Sequence, residues 1–269
     1  MDSLFLLQFA CFIFMLLNAA IVAVSHLHVK WESERYERSR WMIVAAMIGL
    51  AIQYMMQMIF GFRAADDGLG AVINILVYTP CFSLISMGIY NLEAPRISCR
   101  KMNRVCGGIY AVILLVFCVS IYLHQSLFIR EGLYLMLALF GGSVVYCISM
   151  IIREMLRRRK MLETMAATDM LPYVRFSHAS VLILLLAFLI MPVAILSTSL
   201  LFIVGPLALL AVLFFNLTFV ALGCSYIPTD ELLDTEAESC GVVEMEEMNY
   251  GGTEERRILI QNKLDEWCA

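Results

Sequence analysis

Residues 107–124 read G-G-I-Y-A-V-I-L-L-V-F-C-V-S-I-Y-L-H, with no Asp, Glu, Lys or Arg among them. As a helix rising about 1.5 Å per residue, such a run spans roughly 27 Å, close to the thickness of a bilayer's hydrocarbon. A barrel strand would alternate apolar with polar residues, and this run does not. Before it stand Arg96, Arg100, Lys101 and Arg104; after it only Arg130, beside Glu131. Basic residues gather at the cytoplasmic ends of membrane helices. The run therefore reads as a transmembrane helix entering from the cytoplasm.

The pattern repeats in both directions. Comparable runs lie at 4–25, 41–62, 71–92, 132–152, 178–197 and 200–223, each without interior Asp, Glu, Lys or Arg. The connecting segments alternate in basic content. Lys30, Arg35, Arg38 and Arg40 follow the first span, and Arg63 with Asp66 and Asp67 the second. Arg153, Arg157, Arg158, Arg159, Lys160 and Arg175 follow the fifth, and none follows the sixth. The expected architecture is an all-α polytopic membrane protein, a seven-transmembrane-helix bundle over 1–224, N-terminus outside and C-terminus cytoplasmic. Composition agrees: the chain is 61% hydrophobic, 16% charged, with mean hydropathy +0.82. A soluble domain carries about a quarter charged residues. The first run is not expected to be a cleaved leader, because Asp2 stands where a basic segment would precede it.

Pro192 and Pro206 are expected to kink the last two spans or mark their early turns. Gly61 and the Gly141-Gly142-Ser143 stretch are expected to let helices approach closely. Of nine cysteines, none falls in a segment assigned to the outside, so disulfides are not expected. His26 and His28 cannot share a helix face, and no metal site or cofactor is expected. The span at 200–223 lacks the lysine a retinal Schiff base requires. No nucleotide-binding, hydrolase or metalloprotease motif occurs, so an enzyme is not expected.

Uncharged polar residues within the spans are the candidate chemistry. Gln53 and Gln57 lie four apart, on one face of the second helix. Asn74, Thr79 and Ser83 lie in the third; Asn18 and Asn216 in the first and seventh. Gln53, Gln57, Asn74 and Asn216 are the candidate sensing residues, forming either a polar pocket open to the outside or a hydrogen-bonded switch. The plainer alternative is interhelical glue, worth about 0.6 kcal/mol per pair. Arg157, Arg158, Arg159 and Lys160 form a basic cluster at the membrane surface, an anchor or a site for anionic lipid.

Charge changes sign after Cys224. Residues 1–224 hold 16 Lys and Arg against 11 Asp and Glu; residues 225–269 hold 3 against 12. The stretch 225–253 reads as an acidic cytoplasmic linker. Residues 254–269 read as an amphipathic cytoplasmic helix that Thr253 can cap. Its stripe is Ile260, Leu264 and Trp267, spaced i, i+4 and i+7. So short a helix is marginal alone, and its stripe is expected to pack on a partner, a second copy or a following domain.

Seven spans, an acidic linker and then R-R-I-L-I-Q-N-K-L-D-E-W at 256–267 resemble the front of bacterial membrane-anchored regulators of the AraC type. In that family a similar helix leads into a helix-turn-helix DNA-binding domain, which this chain lacks. The resemblance implies a sensor and anchor module in the bacterial inner membrane, contacting DNA only through a domain outside the chain. A homodimer through the C-terminal helix fits that reading; the ligand is unknown. A small transporter or permease, and a scaffold subunit of a membrane complex, are the competing readings.

Overall fold

A computed structural model describes residues 3–24, 34–62, 67–94, 96–124, 130–164, 171–195 and 198–223. The linker at 225–253 and the expected output contact, Ile260, Leu264 and Trp267, lie outside the described residues. Among those described there are seven α-helices and no strand. They are α1 (Ser3–Val24), α2 (Glu34–Phe60), α3 (Asp67–Glu93), α4 (Arg96–His124), α5 (Arg130–Thr164), α6 (Leu171–Ile195) and α7 (Thr198–Gly223).

Six of them (α1 to α5 and α7) are long and apolar enough to cross a bilayer, the mark of a multi-pass membrane protein. In α6 the apolar part is shorter, Ser177–Val193. Helix α5 runs for 35 residues, roughly 50 Å, so it outlasts the hydrocarbon. It carries Arg157 to Lys160 in its last turns, as the sequence suggested. Pro172 stands second in α6, where a missing N–H costs nothing. Pro192 and Pro206 lie inside α6 and α7.

Six helices close a ring in the order α1, α2, α3, α5, α6, α7 and back to α1. Helix α4 sits outside the ring against α3 and α5. Burial follows. In α3, 67% of the span is buried; in α4 only 11%. The exposed faces are apolar: Leu6 and Leu17 on α1, Leu115 on α4, Ile203 and Leu207 on α7. Lipid is the solvent such faces suit, and the interior is where polar residues can find partners. Gln8, Asn18, Gln53, Gln57, Asn74 and Asn216 are all buried.

The core centres on Phe82 of α3, stacked on Phe188 of α6 at 4.3 Å and tilted against Phe140 of α5 at 5.8 Å. Close approach occurs at other glycines than those the sequence marked: a Cβ on Gly49 of α2 would meet Cys81 Sγ of α3 at 2.8 Å. A Cβ on Gly88 would meet Ile43 at 3.0 Å and the Ser39 carbonyl at 3.2 Å, so α2 and α3 touch there. Gly141 and Gly142 instead face open space, with no atom within 4 Å of where a Cβ would stand. Gly61 also has no close neighbour. It terminates α2, taking φ +60° and donating its N–H to the Gln57 carbonyl at 2.9 Å, a left-handed cap.

Candidate functional site

The i, i+4 spacing on α2 sets Gln53 and Gln57 side by side, and α3 brings Asn74 between them. Gln53 Nε2 donates to Asn74 Oδ1 at 2.8 Å, and Gln57 Nε2 donates to the same oxygen. Helix α1 adds a residue the sequence reading passed over: Gln8 Nε2 donates to Gln57 Oε1 at 3.1 Å. Its only signal was one amide in a long apolar run. Four amides from three helices thus form one buried chain close to the Gly61 cap.

The chain of bonds is incomplete. Gln53 Oε1 and Asn74 Nδ2 are buried without a hydrogen-bond partner. A buried polar atom left unpaired costs about 1–3 kcal/mol. One acceptor therefore takes two donors while a donor and an acceptor stay unused. Primary amides can exchange these roles by rotation, so the same four side chains admit more than one pairing.

Asn216 lies elsewhere. Its Nδ2 donates to Asn18 Oδ1 at 2.8 Å and reaches Met47 Sδ at 3.5 Å. Asn18 Nδ2 donates in turn to the Phe14 carbonyl at 2.8 Å. This second cluster joins α1, α2 and α7, and Asn216 Oδ1 is also unpartnered. The four candidate sensing residues thus divide between two clusters that share α1 and α2. Both are packed over rather than open, with Gln53, Asn74 and Asn216 at 0% exposure.

At the N-terminal end of α2, Arg35 and Arg40, read from sequence only as charge markers, bond to carbonyls of neighbouring segments. Arg40 is 4% exposed; its Nη1 donates to the Ala23 carbonyl at 3.0 Å and its Nη2 to Glu37 Oε2 at 2.5 Å. Arg35 Nη1 donates to the Ala94 carbonyl at 3.5 Å. Asn91 Nδ2 donates to the Arg35 carbonyl at 3.1 Å and to Ser39 Oγ at 2.9 Å. Tyr36 stacks on Phe219 of α7 at 5.0 Å. In the basic cluster, Arg157 is exposed and pairs with the buried Glu154 at 2.7 Å; Lys160 is exposed. Arg158 and Arg159 lie on α5, their side chains outside the described set.

Two small cavities lie in the bundle, each with room for about one water. One is lined by Thr79, Ser83, Ser86, Ser143 and Cys147 among aromatic residues. The other lies among Met15, Tyr54, Tyr78, Phe188 and Val212, where α1, α2, α3, α6 and α7 meet. Neither is lined by the amide cluster. Among the described residues no group of three metal-ligating side chains occurs. No protein-family model, curated protein or solved structure matches the chain.

Proposed function

We propose that this chain is the sensor and anchor module of a signalling protein in the bacterial inner membrane. It crosses seven times, N-terminus outside, and passes packing changes among its helices to an AraC-type regulator domain joined to its tail. The supporting observation is the amide cluster of Gln8, Gln53, Gln57 and Asn74, with an unpaired donor and acceptor at its centre. In hydrocarbon such atoms have no water to turn to. A shift of α1 or α3 past α2 that re-pairs them changes the balance between two arrangements of the bundle, which is how a switch works. The cluster takes members from α1, α2 and α3, and the Asn18–Asn216 pair extends the connection to α7, from which the tail continues.

The test is the full chain joined through its tail to a DNA-binding reporter domain in cells. Asn74→Leu and Gln57→Leu, checked for unchanged membrane abundance, should shift basal output at least about fivefold, the lower end of usual coupling between sites. Trp267→Ala should abolish output and leave insertion intact. Output indifferent to all three, with solute uptake in reconstituted vesicles, would favour a permease instead.

A further inference from the structure

Cys106 of α4 and Cys147 of α5 face each other across the helix seam, their sulfurs 3.6 Å apart. Both are thiols and both are buried. The position matters because α4 is the helix outside the ring. Among its described residues the buried ones are Met102, Cys106 and Ile113, one stripe, with Cys106 in the middle. The surroundings are polar for a membrane interior. Ser83 faces Cys106, and Ser86 and Ser143 face Cys147. Four of these five groups, Ser83, Ser86, Ser143 and Cys147, also line a water-sized cavity. Hydroxyls and a water can solvate a thiolate, which is the reactive form of cysteine.

We propose that Cys106 and Cys147 are a reversible redox site, closed to a disulfide by an apolar two-electron, two-proton acceptor of the quinone class. The sulfurs need to approach by about 1.6 Å to reach bonding distance. One thiolate attacks the acceptor and forms a sulfur adduct. The second attacks that sulfur, forming the S–S bond and breaking the bond to the acceptor. Two electrons and two protons leave on the acceptor, which departs as the hydroquinone. The product fastens α4 to α5 at the centre of α4's contact stripe. It gives the module an input separate from the amide cluster. Cysteine pairs that close transiently in reducing compartments are characteristically of this sensing kind.

The experiment uses the full chain in native membrane vesicles, treated with a short-tailed benzoquinone and, separately, with an azodicarboxamide. After denaturation, free thiols are alkylated and peptides mapped by mass. The expected result is loss of two of the nine reactive thiols, with a peptide pair joined through Cys106 and Cys147. Dithiothreitol should restore both thiols. Cys106→Ser and Cys147→Ser should each abolish the joined pair, and Cys118→Ser should not. Both thiols staying free while the acceptor is consumed would overturn the proposal. So would Cys106 joined to Cys99, a quinone left as a stable adduct, or protection reversed by a chelator but not by reductant. Mapping the unsubstituted chain decides the matter even if a serine variant fails to fold.

Discussion

Arg40 places a guanidinium where α1 ends, and its bond to the Ala23 carbonyl meets one of the four acceptors a helix leaves unpaired at its C-terminus. A cation there also faces the negative end of the helix dipole. Its charge is shared with Glu37 and with the Trp41 ring, 5.2 Å away. Arg38, two residues earlier, is exposed. The pair separates structural from topological roles for a basic residue. Arg40→Ala should cost about 1.5–3 kcal/mol, the range for hydrogen bonds to charged groups. Arg38→Ala should fall within about 0.5 kcal/mol of the unsubstituted chain. Thermal unfolding in detergent checks both. Equal effects would mean that Arg40 acts only through its charge. Sequence could not tell these arginines apart, since both sit in a basic segment. What distinguishes them is which face of α2 meets α1, and that is set by packing between elements.

Helices α2 and α3 are the pair that positions the amide cluster; Gly49 lies at their contact against Cys81, and so does Gly88. Adding a methyl at Gly88 presses on Ile43 and on the backbone at Ser39, and backbone cannot give way cheaply. Gly88→Ala should therefore destabilise by about 1–3 kcal/mol, the usual penalty for overpacking. Gly142→Ala, on the open side of α5, should instead stabilise by up to about 1 kcal/mol, since alanine is the better helix former. The same unfolding measurement decides, and a stable Gly88→Ala would remove the close contact. Sequence marked the wrong glycines for this role. A Gly-Gly-Ser run looks like a contact motif on any helix, but only a facing helix makes it one. Element existence was far easier to read. Each span declares itself through its own composition, and the i, i+4 spacing of Gln53 and Gln57 needs only one helix. Asn74 joining them, and Gln8 completing the chain, depend on how α1, α2 and α3 are rotated against each other. That rotation leaves little trace in sequence, because apolar residues surround all three helices on both the lipid and the core side.

The whole bundle turns on how many times the chain crosses, and α6 is where that count is decided. Its apolar stretch, Ser177–Val193, spans roughly 25 Å as a helix, at the short end of what a bilayer accepts. A short span is accommodated by local thinning or by flanking residues reaching to the interface, each at modest cost. Two features favour a crossing. Phe188 of α6 stacks in the core beside Phe82, and α6 packs along both α5 and α7. Basic residues also stand on its N-terminal side, where Arg175 is, while the Ser197-Thr198-Ser199 side has none. Added cysteines read the result directly with a membrane-impermeant maleimide, scored against the unsubstituted chain. Asp66→Cys and Ser199→Cys should label on intact cells. Lys160→Cys and Arg175→Cys should label only once the membrane is opened. Ser199→Cys labelling with Lys160→Cys would place both ends of α6 on one side and leave six crossings. A complete exchange of the two groups would invert the bundle, putting the basic ends outside and the N-terminus inside.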